Sequence, residues 1–265
     1  MSFLRTACAI VCSVVVLSSA NFAQAQTIAR KVHVLIYADT LDPTGNISNG
    51  SKANAEKLQT LFSDQVTYKF NGQITANGVQ EPRTGADCTV AKLRADIAAL
   101  DVQPTDTVLV YMCCHGGFQS GGQFIAMSGG PGGNNGQIRR SEIVSLIQAR
   151  NPRQSVLITD SCANNDGSAG PAALESAAPK SKFLAGLLLF HSGTVSLNAC
   201  SVGEFSWYYT TAGEGSVFTN AFVDACDTLS PKSDGSDWTW ETLFNKTKGM
   251  IPPTTPAKTQ TPAVF

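Results

Sequence analysis

The feature that most restricts the fold is a set of short, continuous apolar runs. In Lys31 to Tyr37, Thr107 to Cys113 and Ser155 to Thr159 the polar residues stand at the ends, His33 apart, and the interiors are apolar on both faces. Such runs read as strands covered on both sides, the situation of a parallel sheet rather than of a sheet with one wet face. Thr194 to Ala199 reads as a further strand, and Val66 to Phe70 as a short one closed by Asn71-Gly72. Helical spacing fills the intervals: Ala53 to Phe62, Asp87 to Leu100, about Arg140 to Ala149, Ser216 to Leu229 and Trp240 to Met250. Strand followed by helix, repeated, predicts an α/β domain with a mainly parallel central sheet of about six strands between helical layers. The glycine-rich excursion Gly116 to Gly136 holds one strand candidate, Gln123 to Met127.

With 265 residues, 43% hydrophobic and 15% charged, the chain has material for a large core, which excludes disorder as its main state. A net charge of −1 gives no electrostatic case for nucleic acid or an anionic membrane as partner. Met1 to Ala25 is set apart as a leader. It has one cation, Arg5, then the apolar run Ala7 to Leu17, then Ala23-Gln24-Ala25, the pattern of a cleaved secretory signal. The run is about half of the roughly 20 residues a spanning helix needs, so no membrane attachment is expected after cleavage. The organisation read from the sequence is therefore a signal over 1–25, one folded domain over 26–251 and a Pro/Thr-rich tail over 252–265, in a secreted or periplasmic protein. Removing the leader leaves Cys88, Cys113, Cys114, Cys162, Cys200 and Cys226, for which export permits disulfides without naming a pairing.

In a parallel sheet, ligands bind beyond the carboxyl ends of the strands. One of the apolar runs ends in Cys113-Cys114-His115-Gly116-Gly117 and the next in Asp160-Ser161-Cys162. A histidine and a cysteine at one sheet edge suit thiol catalysis, in which an imidazole takes the thiol proton and later protonates a leaving amine. Glycine after the histidine lets a backbone N–H approach a developing oxyanion, so Gly116 and Cys162 are the natural donors. His33 and His191 read as structural. Cys113-Cys114-His115 is a poor metal set, because adjacent strand residues face opposite sides and a fourth ligand is missing. Gly129 to Gly136 lacks the Lys-Ser/Thr of a phosphate loop, and Ser161 lacks the glycine elbow of a serine nucleophile.

His-Gly after one buried strand and Asp-x-Cys after the next, 47 positions apart (115 to 162), resembles the caspase-like cysteine peptidases, and most of all their bacterial metacaspase-type branch. Ser196-Leu197-Asn198-Ala199-Cys200, Gly203-Glu204-Phe205-Ser206-Trp207 and Gly215 to Phe222 resemble the downstream pattern, and Gln260-Thr261-Pro262 the entry to a last edge strand. The resemblance implies a caspase-like α/β/α sandwich and a cysteine endopeptidase acting on polypeptides. Cys162 is then the nucleophile, His115 the acid and base, and Gly116 with Cys162 the oxyanion hole. Asp160 would floor the primary specificity pocket, with Asp39 as a second wall and Cys113, Ser206 and Trp207 around it, implying preference for Arg or Lys. Caspases proper carry an arginine after the Ser-Trp pair, where this chain has Tyr208. The metacaspase His-Ser-Gly after the nucleophile is replaced by Ala163-Asn164-Asn165-Asp166-Gly167. No cofactor is implied, calcium activation has no clear site, and the oligomeric state is open. The alternatives are an inactive caspase-like binding module and, from Cys113 or Cys114, a thiol oxidoreductase.

Overall fold

The computed structural model describes residues 29–42, 47–66, 69–70, 73–74, 76–127, 136–162, 182–209, 214–230, 238–252 and 260–264 of the chain. The leader, the Asn71-Gly72 turn, nearly all of Gly129 to Gly136 and the segment after Cys162 lie outside these residues. In chain order the elements are β1 (Lys31–Ala38), α1 (Ser48–Val66), β2 (Lys69–Phe70), β3 (Gln73–Ile74), β4 (Ala76–Val79), β5 (Arg83–Thr84), α2 (Val90–Ala99) and β6 (Thr107–Cys113). Then follow β7 (His115–Gln119), β8 (Gly122–Ala126), β9 (Gln137–Arg139), α3 (Arg140–Gln148), β10 (Gln154–Asp160), α4 (Phe183–Phe190), β11 (Gly193–Asn198), α5 (Val217–Thr228), α6 (Trp240–Met250) and β12 (Ala263–Val264). The central sheet runs β12-β11-β10-β6-β1-β4, with β5 also on β1, and every pairing is parallel except the last edge strand β12.

Strand periodicity sorts the apolar runs into two layers. Val32, Val34 and Ile36 of β1, Leu109 and Tyr111 of β6, and Val156 and Ile158 of β10 face α1, α4, α5 and α6. Their sequence neighbours Leu35, Tyr37, Val108, Val110, Met112 and Leu157 face α2 and α3. The small antiparallel sheet β7-β8-β9 grows out of the glycine-rich excursion and packs Ile125 and Ile138 into this second layer. Among the described residues no helix is long and apolar enough to cross a membrane.

Two local expectations are corrected. Val66 does not start a strand: it is the buried last residue of α1, four positions after Phe62 on the same helical stripe. Lys69–Phe70 pairs only with Gln73–Ile74 in a hairpin off the central sheet, and the strand that joins β1 is Ala76–Val79, in register Lys31↔Ala76 to Val34↔Val79. The second correction is α4, absent from the sequence reading. Phe-Leu-Ala-Gly-Leu-Leu-Leu-Phe is buried on all sides, so it has no amphipathic period to read. Burial of Leu184, Leu187 and Leu188 stabilises the layer by about 1.5–3 kcal/mol each. Gly186 sits mid-helix because the Trp238 ring lies where a Cβ would be, 2.8 Å away.

His33 is structural, as its position inside β1 suggests. It is 2% exposed, and its Nε2 lies 3.2 Å from Asp106 Oδ2, while Asp106 also accepts the Lys31 and Gln103 backbone N–H groups. Burial lowers its proton affinity despite the aspartate, and burial lowers that of His191 as well. The unfolded chain therefore takes up these protons first, below its ordinary value of 6.5, and stability should fall as pH drops through that value. Thermal melts across this range should show the decline, and His33→Gln should make it shallower, leaving the share of His191. Melts that do not change with pH would contradict the assignment.

Candidate active site

The site forms at the carboxyl ends of β6 and β10. These strands are neighbours in the sheet, with Cys113 and Asp160 directly opposite one another at their last paired position. His115 and Cys162 each lie two residues beyond that pair, so they leave the sheet side by side. Contact between the two exits is direct. A Cβ on Gly116 would stand 2.7 Å from the Cys162 carbonyl oxygen and 2.8 Å from Ser161 Cβ, so only glycine allows the strands to close there. The Cys162 carbonyl also accepts from Gln123 Nε2 of β8 at 3.3 Å, and Arg140 of α3 holds that glutamine through Nη1 at 3.1 Å. Its thiol points to the Ser206 carbonyl at 3.8 Å. Burial pushes the Cys162 thiol up, and the charge of Asp160 acts in the same direction, so the resting sulfur holds its proton until a base removes it.

His115 is about one-third exposed at its side chain, and its Nε2 lies 3.1 Å from Oδ1 of Asp42, which is buried. Asp42 follows β1, and sequence reasoning passed over it: an aspartate in a turn has an ordinary local explanation.

Asp160 is fully buried. Its Oδ1 accepts from Ser206 Oγ at 2.6 Å, and its Oδ2 from Thr219 Oγ1 at 2.6 Å, Asn54 Nδ2 at 3.3 Å, Tyr111 OH at 3.4 Å and Ser216 Oγ. Burial raises its proton affinity against these donors. Ser216 serves two structures at once, because its Oγ also caps α5 by accepting the Thr219 N–H at 3.0 Å. Cys113 belongs to the same cluster, bonded by Asn54 Nδ2 at 3.0 Å and 2.8 Å from Tyr208 OH, and burial pushes its thiol up to about 12. Tyr208 thus stands over the cluster with its ring in the core.

The structure brings Asp160, Cys113 and Ser206 together. Asp39 joins the same strand end through its backbone, its N–H donating to the Cys113 carbonyl at 2.9 Å, and its side chain is buried. Cys114 faces Cys88 in the α2/α3 layer, with the sulfurs 3.8 Å apart. Trp207 is buried against Phe205, ring centroids 5.1 Å apart, and its backbone N–H donates to Gln260 Oε1 at 3.0 Å. Gln260 also reaches the Ala199 carbonyl at 3.1 Å, so this part of the Pro/Thr-rich tail lies against the site. All six cysteines of the described residues are free thiols. Among those residues no group of three or more His, Cys, Asp or Glu side chains is placed to hold a metal ion.

A family model described as Caspase domain matches residues 42–265. The chain belongs to the caspase-domain family. The fold agrees: protein GSU0716 from Geobacter sulfurreducens aligns with a TM-score of 0.57 at 14% identity, over 89% of this chain and 92% of that one. Caspase-1 from Spodoptera frugiperda aligns with a TM-score of 0.55 at 15% identity, over 89% and 88%. No curated protein matches. Membership of the caspase-domain family carries with it the expectation of a cysteine peptidase acting on polypeptides, and the paired exits of β6 and β10 are where its chemistry would sit.

Proposed function

We propose that the chain is an exported cysteine endopeptidase of the metacaspase type, working through His115 and Cys162 and cutting after Arg or Lys. The observation that carries this reading is the register of β6 against β10, which sends these two residues out of the sheet on adjacent strands, in contact through Gly116. As the sulfur attacks the scissile carbonyl, His115 takes its proton. The oxyanion is met by the N–H groups of Gly116 and Cys162. Collapse expels the amine, which leaves with the proton from His115, and water then hydrolyses the thioester.

A basic side chain is drawn to Asp160, the buried carboxylate two residues before the nucleophile, with Cys113 and Ser206 beside it. Tyr208 must swing away for that side chain to enter, since its hydroxyl reaches Cys113 beside the carboxylate. Its closed position, with Asp160 fully engaged by the protein's own donors, favours one second reading: a latent or inactive caspase-like module that binds without cutting.

Cleavage of Arg- and Lys-linked fluorogenic peptides under reductant, with and without calcium, together with alkylation by an Arg chloromethyl ketone, separates the two. The peptidase reading expects turnover and a label on Cys162. No turnover and an unmodified Cys162 would leave the binding module. The specificity has its own check. Asp160→Asn keeps the volume and should remove the preference for basic residues, cutting kcat/KM on Arg-linked peptides by about 10²-fold or more while neutral peptides change little. If Arg-linked peptides still lead after the substitution, the pocket lies elsewhere.

A further inference from the structure

We propose that Asp42 is a positioning residue for His115, making the site a Cys-His-Asp triad rather than a dyad; this rests on His115 being the acid and base. The Asp42 side chain is only 1% exposed, yet both of its oxygens are used. Oδ2 accepts the Ile47 backbone N–H at 3.1 Å, and Oδ1 lies 3.1 Å from His115 Nε2. The backbone is fixed too, because the Asp42 carbonyl accepts from Ser48 Oγ at 3.3 Å at the start of α1.

A carboxylate only accepts hydrogen bonds, so in a neutral ring a proton shared with Asp42 is the one on Nε2, the nitrogen that faces it. That leaves Nδ1 with a free lone pair, the form needed to take a proton from a thiol. The same carboxylate stabilises the imidazolium that forms when the proton moves. A structural reading makes Asp42 a turn residue and nothing more. Among the described residues, the Ile47 contact satisfies that reading at one oxygen, and the other oxygen faces the imidazole.

The two contacts predict what Asp42→Asn does. The Ile47 N–H needs an acceptor, so the amide keeps its carbonyl oxygen there and turns its NH₂ toward His115. An NH₂ group donates, so the proton must leave Nε2 for Nδ1, and the base is lost. Long-range ¹H–¹⁵N correlation spectra of the neutral rings read this directly. The chain has three histidines, and His115→Ala identifies the signal of interest.

The proposal expects the proton on Nε2 in the wild type and on Nδ1 in Asp42→Asn, with kcat down by about 10²- to 10⁴-fold and KM within about threefold. Asp42→Glu, which keeps the carboxylate, should recover part of the loss. A wild-type ring protonated on Nδ1, a tautomer unchanged in Asp42→Asn, or a kcat within a few fold of wild type would overturn it. Should Asp42→Asn not fold, the wild-type tautomer and the kcat of Asp42→Glu decide. A wild type that cleaves nothing but shows the tautomer switch sinks the peptidase reading and leaves the Asp42 contact standing, so the two failures are told apart.

Discussion

Cys162→Ala should abolish turnover, lowering kcat by about 10⁴- to 10⁶-fold, the scale seen when a covalent nucleophile is removed. The loss is chemical, not structural. Cys162 is only half-buried, and its thiol contact is a long one to the Ser206 carbonyl, so melting should shift by less than about 1 kcal/mol of stability. His115→Ala should cost nearly as much in kcat. The double variant should be no worse than either single one, because a nucleophile without its base and a base without its nucleophile fail at the same step. Initial rates on an Arg-linked peptide for the four proteins check this. A Cys162→Ala protein that keeps a tenth of its rate would place the nucleophile on another residue.

The second large effect falls on a residue with no functional group. Gly116→Ala adds one carbon at a point 2.7 Å from the Cys162 carbonyl oxygen, 2.8 Å from Ser161 Cβ and 2.9 Å from Ser161 Oγ. None of these is the free end of a long side chain that can step aside. Either β7 moves off the β10 exit or the segment carrying Cys162 moves. Overpacking of this kind costs about 1–3 kcal/mol of stability. Activity should suffer far more, by about 10²-fold or beyond in kcat/KM, since a displacement near 1 Å between base and nucleophile is enough. Activity near wild type would mean that the strand ends tolerate separation, and the close approach would have no catalytic meaning.

The parallel sheet was legible because β1, β6 and β10 are apolar on both faces, a pattern that parallel pairing explains and half-wet strands do not. His115-Gly116 and Asp160-Ser161-Cys162 were legible for a related reason: they directly follow those runs, so strand identity fixes their place at one edge. The rest of the site was not. Asn54 and Thr219 come from α1 and α5, and they stand 106 and 59 positions from the Asp160 they bond. Ser216 was equally hidden, since a serine opening a helix is explained by capping alone. The weak edge strand Ala76–Val79 was missed because Ala-Asn-Gly-Val has little strand preference of its own, and the register with β1 supplies what composition does not.

Gln260 binds the backbone on both sides of the Ser206 loop, at Ala199 and at Trp207. Ser206 in turn bonds Asp160 and accepts from the Cys162 thiol. Anyone transplanting that loop from another family member to retune selectivity would thus have to carry over the matching terminal glutamine. Two stretches far apart in the chain are thereby tied into one unit by hydrogen bonds.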